Sequence, residues 1–250
     1  MKGPPMPPLA SAADLADRAA LVAWIRRTGP HVAAGLMAAD PMTWGDAVVA
    51  LEQAGLTFLH FDVMDGVYCP AMTAGPGVIK AARTRMLKDV HLMITDPLGR
   101  LDAFLAAGAD IVHVQAEGTA HLNRLLKALD VAVAGCQSGR RVLRSLALEP
   151  GTPIEIVRPV LHQMEMVTLL AVDPGWSGGA PDAVTAARVE AVRVLARAAG
   201  TDPLICIDGG ITPATWAAAL AARPDVVVSG SALFAAGASV AANLDKLIAA

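Results

Sequence analysis

Cysteine occurs only three times in these 250 residues, at Cys69, Cys136 and Cys206. Thiols so few and so widely spaced exclude a disulfide framework and a four-thiolate zinc site, and point to reduced thiols in a cytoplasmic setting. Long apolar runs are missing too. No stretch approaches the ~20 unbroken apolar residues of a membrane span, so no membrane partner is expected. Basic clusters are equally lacking: 20 Lys and Arg are scattered among 23 Asp and Glu, for a net charge of -3. That balance leaves no footprint for nucleic acid or anionic lipid. The opening "MKGPPMPPLA" has neither the apolar centre nor the cleavage pattern of a secretory signal and reads as a proline-rich tail.

What is present is a large apolar fraction, 54% hydrophobic against 17% charged, enough for a folded core. Residues 11–30 predict a helix. Ser11 and Asp14 have capping-box spacing, Leu15, Val22 and Ile25 share one face, and Gly29-Pro30 stops it. Residues 1–30 are thus expected to be a tail plus an extra helix. From residue 31 to 250, eight short apolar runs alternate with eight helix-like segments, beginning "HVAAGLM", "TWGDAVVALEQAG", "TFLHFDV", "GPGVIKAARTR". Unbroken apolar strands fit a parallel sheet covered on both faces, and eight repeats match a closed (β/α)8 barrel. A doubly wound open sheet is the rival. It ordinarily carries a glycine fingerprint after its first strand, and "GLMAADP" contains no G-x-G-x-x-G.

The polar residues fall at the strand ends: His60 and Asp62, then His91, Gln115, Glu149, "DPGWSGG" at 173–179, Asp208 and Gly230-Ser231. In a barrel these ends share one rim, where active sites of this fold are built. His60, Asp62, His91 and Asp208 offer two imidazoles and two carboxylates, a ligand set for one divalent ion such as zinc, iron(II), manganese or cobalt. Taken singly, each such residue more often serves structure; four on one rim reverse that expectation. Glycine-bearing loops carry Gly175 and Gly178, then Gly209 and Gly210, then Gly230 and Ser231. Glycines let backbone N–H groups approach an anion, and a helix opening after the last strand would add its dipole. With no basic cluster there, a small substrate with one phosphate monoester is expected. Met64 and Met93 follow two of the ligand candidates as a flexible apolar lining, while Asp65 is expected to fix its own turn with Gly66.

"HFDVMDGVYCPAMTAGP", "DVHLMITDP", "AEGTAHLNRLL", "LEPGTP", "LLAVDPGWSGG", "CIDGGI" and "VVSGSALF" occur in order between about residues 33 and 236. Together they resemble the ribulose-phosphate 3-epimerase family. The resemblance implies a metal-dependent 3-epimerase of a ketose phosphate, D-ribulose 5-phosphate to D-xylulose 5-phosphate first of all. His60, Asp62, His91 and Asp208 would hold the ion, and Asp62 and Asp208 would exchange the C3 proton through an enediolate. It also implies a homo-oligomer. The alternatives are epimerisation of another ketose phosphate, such as allulose 6-phosphate or a tetrulose phosphate, and a catalytically silent phosphosugar-binding barrel.

The chain departs from the family pattern around the sugar. Gly35 and Ala38 stand in "GLMAAD" where a "SILSAD"-like stretch supplies a serine, Gln115 stands for a histidine, Leu170 for a methionine and Glu149 for an asparagine. "PGWSGGA", with Gly179, replaces "PGFGGQ", and "DVAVAGCQSGRRVLR" carries an insertion. The ion ligands are spared. A site that loses substrate-binding hydroxyls shifts its preference among substrates.

Overall fold

The structure, a computed structural model, describes residues 9–133, 140–176, 180–181 and 183–250. Cys136, Gly178 and Gly179, and most of the insertion, lie outside the described residues. Eight strands, β1 (His31–Gly35), β2 (Phe58–Met64), β3 (Leu87–Met93), β4 (Ile111–Gln115), β5 (Leu143–Leu148), β6 (Met166–Leu170), β7 (Leu204–Asp208) and β8 (Val226–Ser229), close in sequence order into a parallel barrel. The fold is a (β/α)8 barrel. Helices α1 (Arg18–Thr28), α2 (Trp44–Gln53), α3 (Pro76–Ala81), α4 (Pro97–Ala106), α5 (Leu122–Val131), α6 (Ala183–Ala198), α7 (Trp216–Ala221) and α8 (Val240–Ile248) accompany it. The segment after β5, Ile154–Gln163, winds as a 3-10 helix with Pro159 inside. A proline there has no N–H to give an α-helical turn and clashes with the carbonyl four residues back. Among the described residues no helix is long and apolar enough to cross a membrane.

Two apolar clusters follow from the alternation of side chains along each strand. The larger lies between barrel and helices and takes Leu59, Phe61 and Val63 from β2. The smaller fills the lower barrel, with Phe58, Leu87, Ile111, Leu143, Met166 and Val226. Helix α1 closes this lower end: Leu21, Trp24 and Ile25 join the inner cluster, and the Trp24 ring lies 6.0 Å from Phe58 and 4.6 Å from His31. Arg18 ties the helix down by donating to Val142 O at 2.7 Å, Leu129 O at 2.9 Å and Asp130 Oδ1 at 2.8 Å.

The helix begins later than its sequence suggests. Ser11 and Asp14 exchange the reciprocal capping bonds, Ser11 N to Asp14 Oδ2 at 3.0 Å and Asp14 N to Ser11 Oγ at 3.3 Å, but these close a separate turn. Asp17 is the residue that caps α1, accepting from Ala20 N at 2.8 Å. Asp14 instead meets Arg27 at 2.9 Å.

His31 sits fully buried beneath the barrel, between Thr28 Oγ1 at 3.0 Å and Thr57 Oγ1 at 3.1 Å. Burial pushes its imidazole down to about 4 from 6.5. The unfolded chain therefore takes up a proton below pH 6.5 that the folded chain refuses until about pH 4. Stability from the neutral ring is complete above that window and is lost as pH falls through it, by about 3 kcal/mol. Denaturant titrations of His31→Gln should show that much less decline between pH 6.5 and 4 than wild type; equal declines would contradict the assignment.

Candidate active site

Strand pairing sets the site. Asp62 is in register with His91, His60 with Asp89, His91 with His113, and Leu170 with Asp208. On β2 the period-two repeat points Phe58, His60, Asp62 and Met64 inward, so His60 and Asp62 stack along one face toward the rim. His60 Nε2 lies 3.3 Å from Asp62 Oδ1 and 3.7 Å from Asp208 Oδ2, and His91 Nδ1 lies 3.1 Å from Asp208 Oδ2. One donor atom from each of the four falls within 4.8 Å of the others.

These residues fit a divalent ion. Ligands held about 2.1 Å from a tetrahedral centre stand about 3.4 Å apart, close to the separations observed. His60 Nε2 is buried and has no hydrogen-bond partner, an orphaned polar atom that an ion would satisfy. Burial opposes charge on both His60 and Asp62, and their neighbours outweigh it. Asp62 and Asp89 hold the His60 pKa well above its ordinary value, while His60 and His91 hold the Asp62 carboxyl below its own.

A cavity of about 590 Å³ opens over this group. Met64 and Met93 line it as the sequence suggests, with Leu170 and Val172 beside them. Gly175, Gly209, Gly210, Gly230 and Ser231 edge it from the loops after β6, β7 and β8. Gly178 lies outside the described residues. Two glycines are required by space. Gly209 has φ +101°, and a Cβ there would stand 2.7 Å from Val172 Cγ2; a Cβ on Gly230 would stand 2.9 Å from Ala38 Cβ. Thr215 Oγ1 holds the β7 loop by donating to Gly210 O at 2.6 Å.

The helix expected after the last strand forms in "SVAANLDKLIA", set back from the strand end. Residues 231–234 form a turn and α8 starts only at Val240, so the Gly230–Ser231 loop is not itself a helix N-terminus. Asp65 serves its turn: it accepts from Val67 N at 3.0 Å, Tyr68 N at 2.9 Å and Thr95 N at 2.8 Å. Thr73 Oγ1 accepts from Met64 N at 2.9 Å and donates to Asp62 O, fastening the same loop to the end of β2. Tyr68 donates to Glu149, which crosses from the β2 loop to the β5 loop. Gln115 turns toward Glu117 and Ala147 O rather than to the ion group. Asp89 and His113, both buried directly below His60, were not singled out by the strand-end reading. Their signal is the same two-residue spacing, Asp89 to His91 and His113 to Gln115.

Residues 31–234 match the ribulose-phosphate 3-epimerase family. The chain belongs to this family. It is 35% identical over 209 residues, 82% of this chain and 72% of the other, to a protein of Arabidopsis thaliana named ribulose-5-phosphate-3-epimerase, chloroplastic. It is 36% identical over 185 residues, 74% of this chain and 73% of the other, to a Salmonella paratyphi A protein named putative epimerase LsrE. A Mycobacterium tuberculosis tryptophan synthase structure superposes with a TM-score of 0.66 at 19% identity, covering 94% of this chain and 98% of that one, a likeness of fold alone. Membership makes this epimerase-family chain an isomerase acting on carbohydrate, with a ketose phosphate as its class of substrate.

Gly209→Ala should lower the unfolding free energy by about 1–3 kcal/mol, since an alanine there is strained by both φ and the contact with Val172. A thermal melt matching wild type would contradict that reading of the loop.

Proposed function

We propose that the protein is a divalent-metal-dependent 3-epimerase that interconverts D-ribulose 5-phosphate and D-xylulose 5-phosphate. The observation that carries this is the convergence of His60, Asp62, His91 and Asp208 on one point, with a buried imidazole nitrogen left unpaired among them. His60, Asp62, His91 and Asp208 would hold the ion, of zinc, iron(II), manganese or cobalt type. When bound, the ion supplies Lewis-acid stabilisation of negative charge on the ketone side of the substrate.

The chain's own groups do the proton work. Asp62 comes from β2 and Asp208 from β7, with β1 and β8 between them, so two carboxylates reach the cavity floor from different sides. One removes the C3 proton and leaves an enediolate; the other returns a proton to the opposite face, and inversion needs two such groups. Backbone N–H groups of the Gly175, Gly209–Gly210 and Gly230–Ser231 loops would hold the phosphate, and the sulfur-rich wall of Met64 and Met93 excludes water from the reacting carbon.

A second reading of the sugar has its own support. Gly35, Ala38, Ala71 and Leu170 line the cavity without offering a hydroxyl, and one similar protein is named putative epimerase LsrE. Of the other ketose phosphates, a tetrulose phosphate, with one hydroxyl fewer than ribulose 5-phosphate, suits such a wall better than allulose 6-phosphate, which has one more.

With zinc or manganese added in D₂O, proton NMR should show deuterium entering C3 of D-ribulose 5-phosphate as D-xylulose 5-phosphate forms. Higher kcat/KM for another sugar of the panel would move the assignment to that sugar, and binding without exchange would mark a silent phosphosugar barrel. Asp208→Asn should stay folded and slow the exchange at least ~100-fold; a near-normal rate would rule out the two-aspartate assignment.

A further inference from the structure

The middle of this barrel is polar where parallel barrels ordinarily stack Val, Ile and Leu. Asp89 from β3 is 1% exposed, and His60, His113, Ser145 and Thr168 are fully buried around it. They form one chain of contacts. His60 Nδ1 lies 2.7 Å from Asp89 Oδ2, and the other carboxylate oxygen, Oδ1, bonds His113 Nε2. His113 Nδ1 lies 2.7 Å from Thr168 Oγ1, which lies 2.8 Å from Ser145 Oγ.

The donors and acceptors of that chain have a direction. A carboxylate flanked by two ring nitrogens accepts from both, so His60 carries its proton on Nδ1. In a neutral ring the lone pair is then on Nε2, the atom that faces Asp62 and Asp208. The same geometry bears on a second group of candidate ligands, since His60, Asp89 and His113 also bring donor atoms within 4.8 Å of one another. His60 serves both groups with opposite nitrogens. In the lower group both contacts are direct hydrogen bonds, whereas in the upper group His91 bonds Asp208 at 3.1 Å but His60 Nε2 stands unbonded, 3.3 and 3.7 Å from the two carboxylates, at ligand-to-ligand spacing.

We propose that Asp89 is a positioning residue: it locks His60 in the tautomer that presents Nε2 to the rim, and His113, by occupying the second Asp89 oxygen, keeps the lower group closed so that one ion is taken above it. This rests on the ion-binding reading of the rim. An outer carboxylate that orients a ligating histidine is typically worth 10–100-fold in ion affinity.

The test uses the full chain, labelled with ¹⁵N in histidine, and zinc as the probe. Long-range ¹⁵N–¹H spectra of zinc-loaded wild type should show His60 protonated on Nδ1 and unprotonated, metal-bound, on Nε2; zinc bound through Nδ1 instead would overturn the proposal without any variant. Asp89→Leu removes both acceptor oxygens, and competition against a chromogenic chelator should show zinc held about 10–100-fold more weakly, with the His60 tautomers mixed. Asp89→Asn serves if the leucine variant does not fold: its amide can accept from only one of the two rings, so one histidine must change tautomer. A folded variant with zinc affinity within twofold of wild type and both ring tautomers unchanged would overturn the proposal alone. Wild type that takes up no zinc would overturn it together with the reading it rests on.

Discussion

His60 is the constraint on which this molecule turns. It is a fully buried imidazole satisfied from below by Asp89 and unsatisfied above, where Asp62 and Asp208 face it. Gathering carboxylates and imidazoles out of water is unfavourable unless each is paired, and removing one partner leaves a buried charge uncompensated. The barrel meets that demand by geometry. Period-two alternation sends His60, Asp62, His91 and Asp208 to one axis, and parallel register sets their heights. A one-residue slip of β2 would turn His60 and Asp62 out toward the helices and bring Leu59 and Phe61 inside.

The apolar remainder of the fold makes this polar column tolerable. Helix α1 seals the lower mouth with Trp24, and the inner cluster of Phe58, Ile111, Met166 and Val226 keeps water from reaching the column from beneath. The upper end is left open to a cavity bounded by methionines on one side and glycine loops on the other. Chemistry and solvent access are thus confined to one end, while the other serves stability, the division usual for this fold.

Much of this was legible in sequence. Eight apolar runs predicted eight strands because unbroken Val, Leu and Ile segments fit only a sheet covered on both faces, and the residues at their tips identified the rim. The family resemblance holds through the matched span, and the four ligand candidates converge. Local signals were less dependable. The Ser11–Asp14 bonds form, yet they close a turn, because Asp17 caps the helix and Arg27 draws Asp14 toward it. The helix expected after the last strand forms, but a turn and a short loop separate α8 from Gly230 and Ser231. Asp89 and His113 escaped a reading that looked at strand tips, since a polar residue in mid-strand resembles any other core position until the register shows which ring it meets.

The central claim is that two imidazoles and two carboxylates from three strands share one cation, and its most direct test is crystallographic. Crystals grown with zinc or manganese, with data collected at the metal's absorption edge, should give one anomalous peak per chain, bonded to His60 Nε2, Asp62, His91 and Asp208. No peak at the rim, or a peak between His60, Asp89 and His113, would contradict the account.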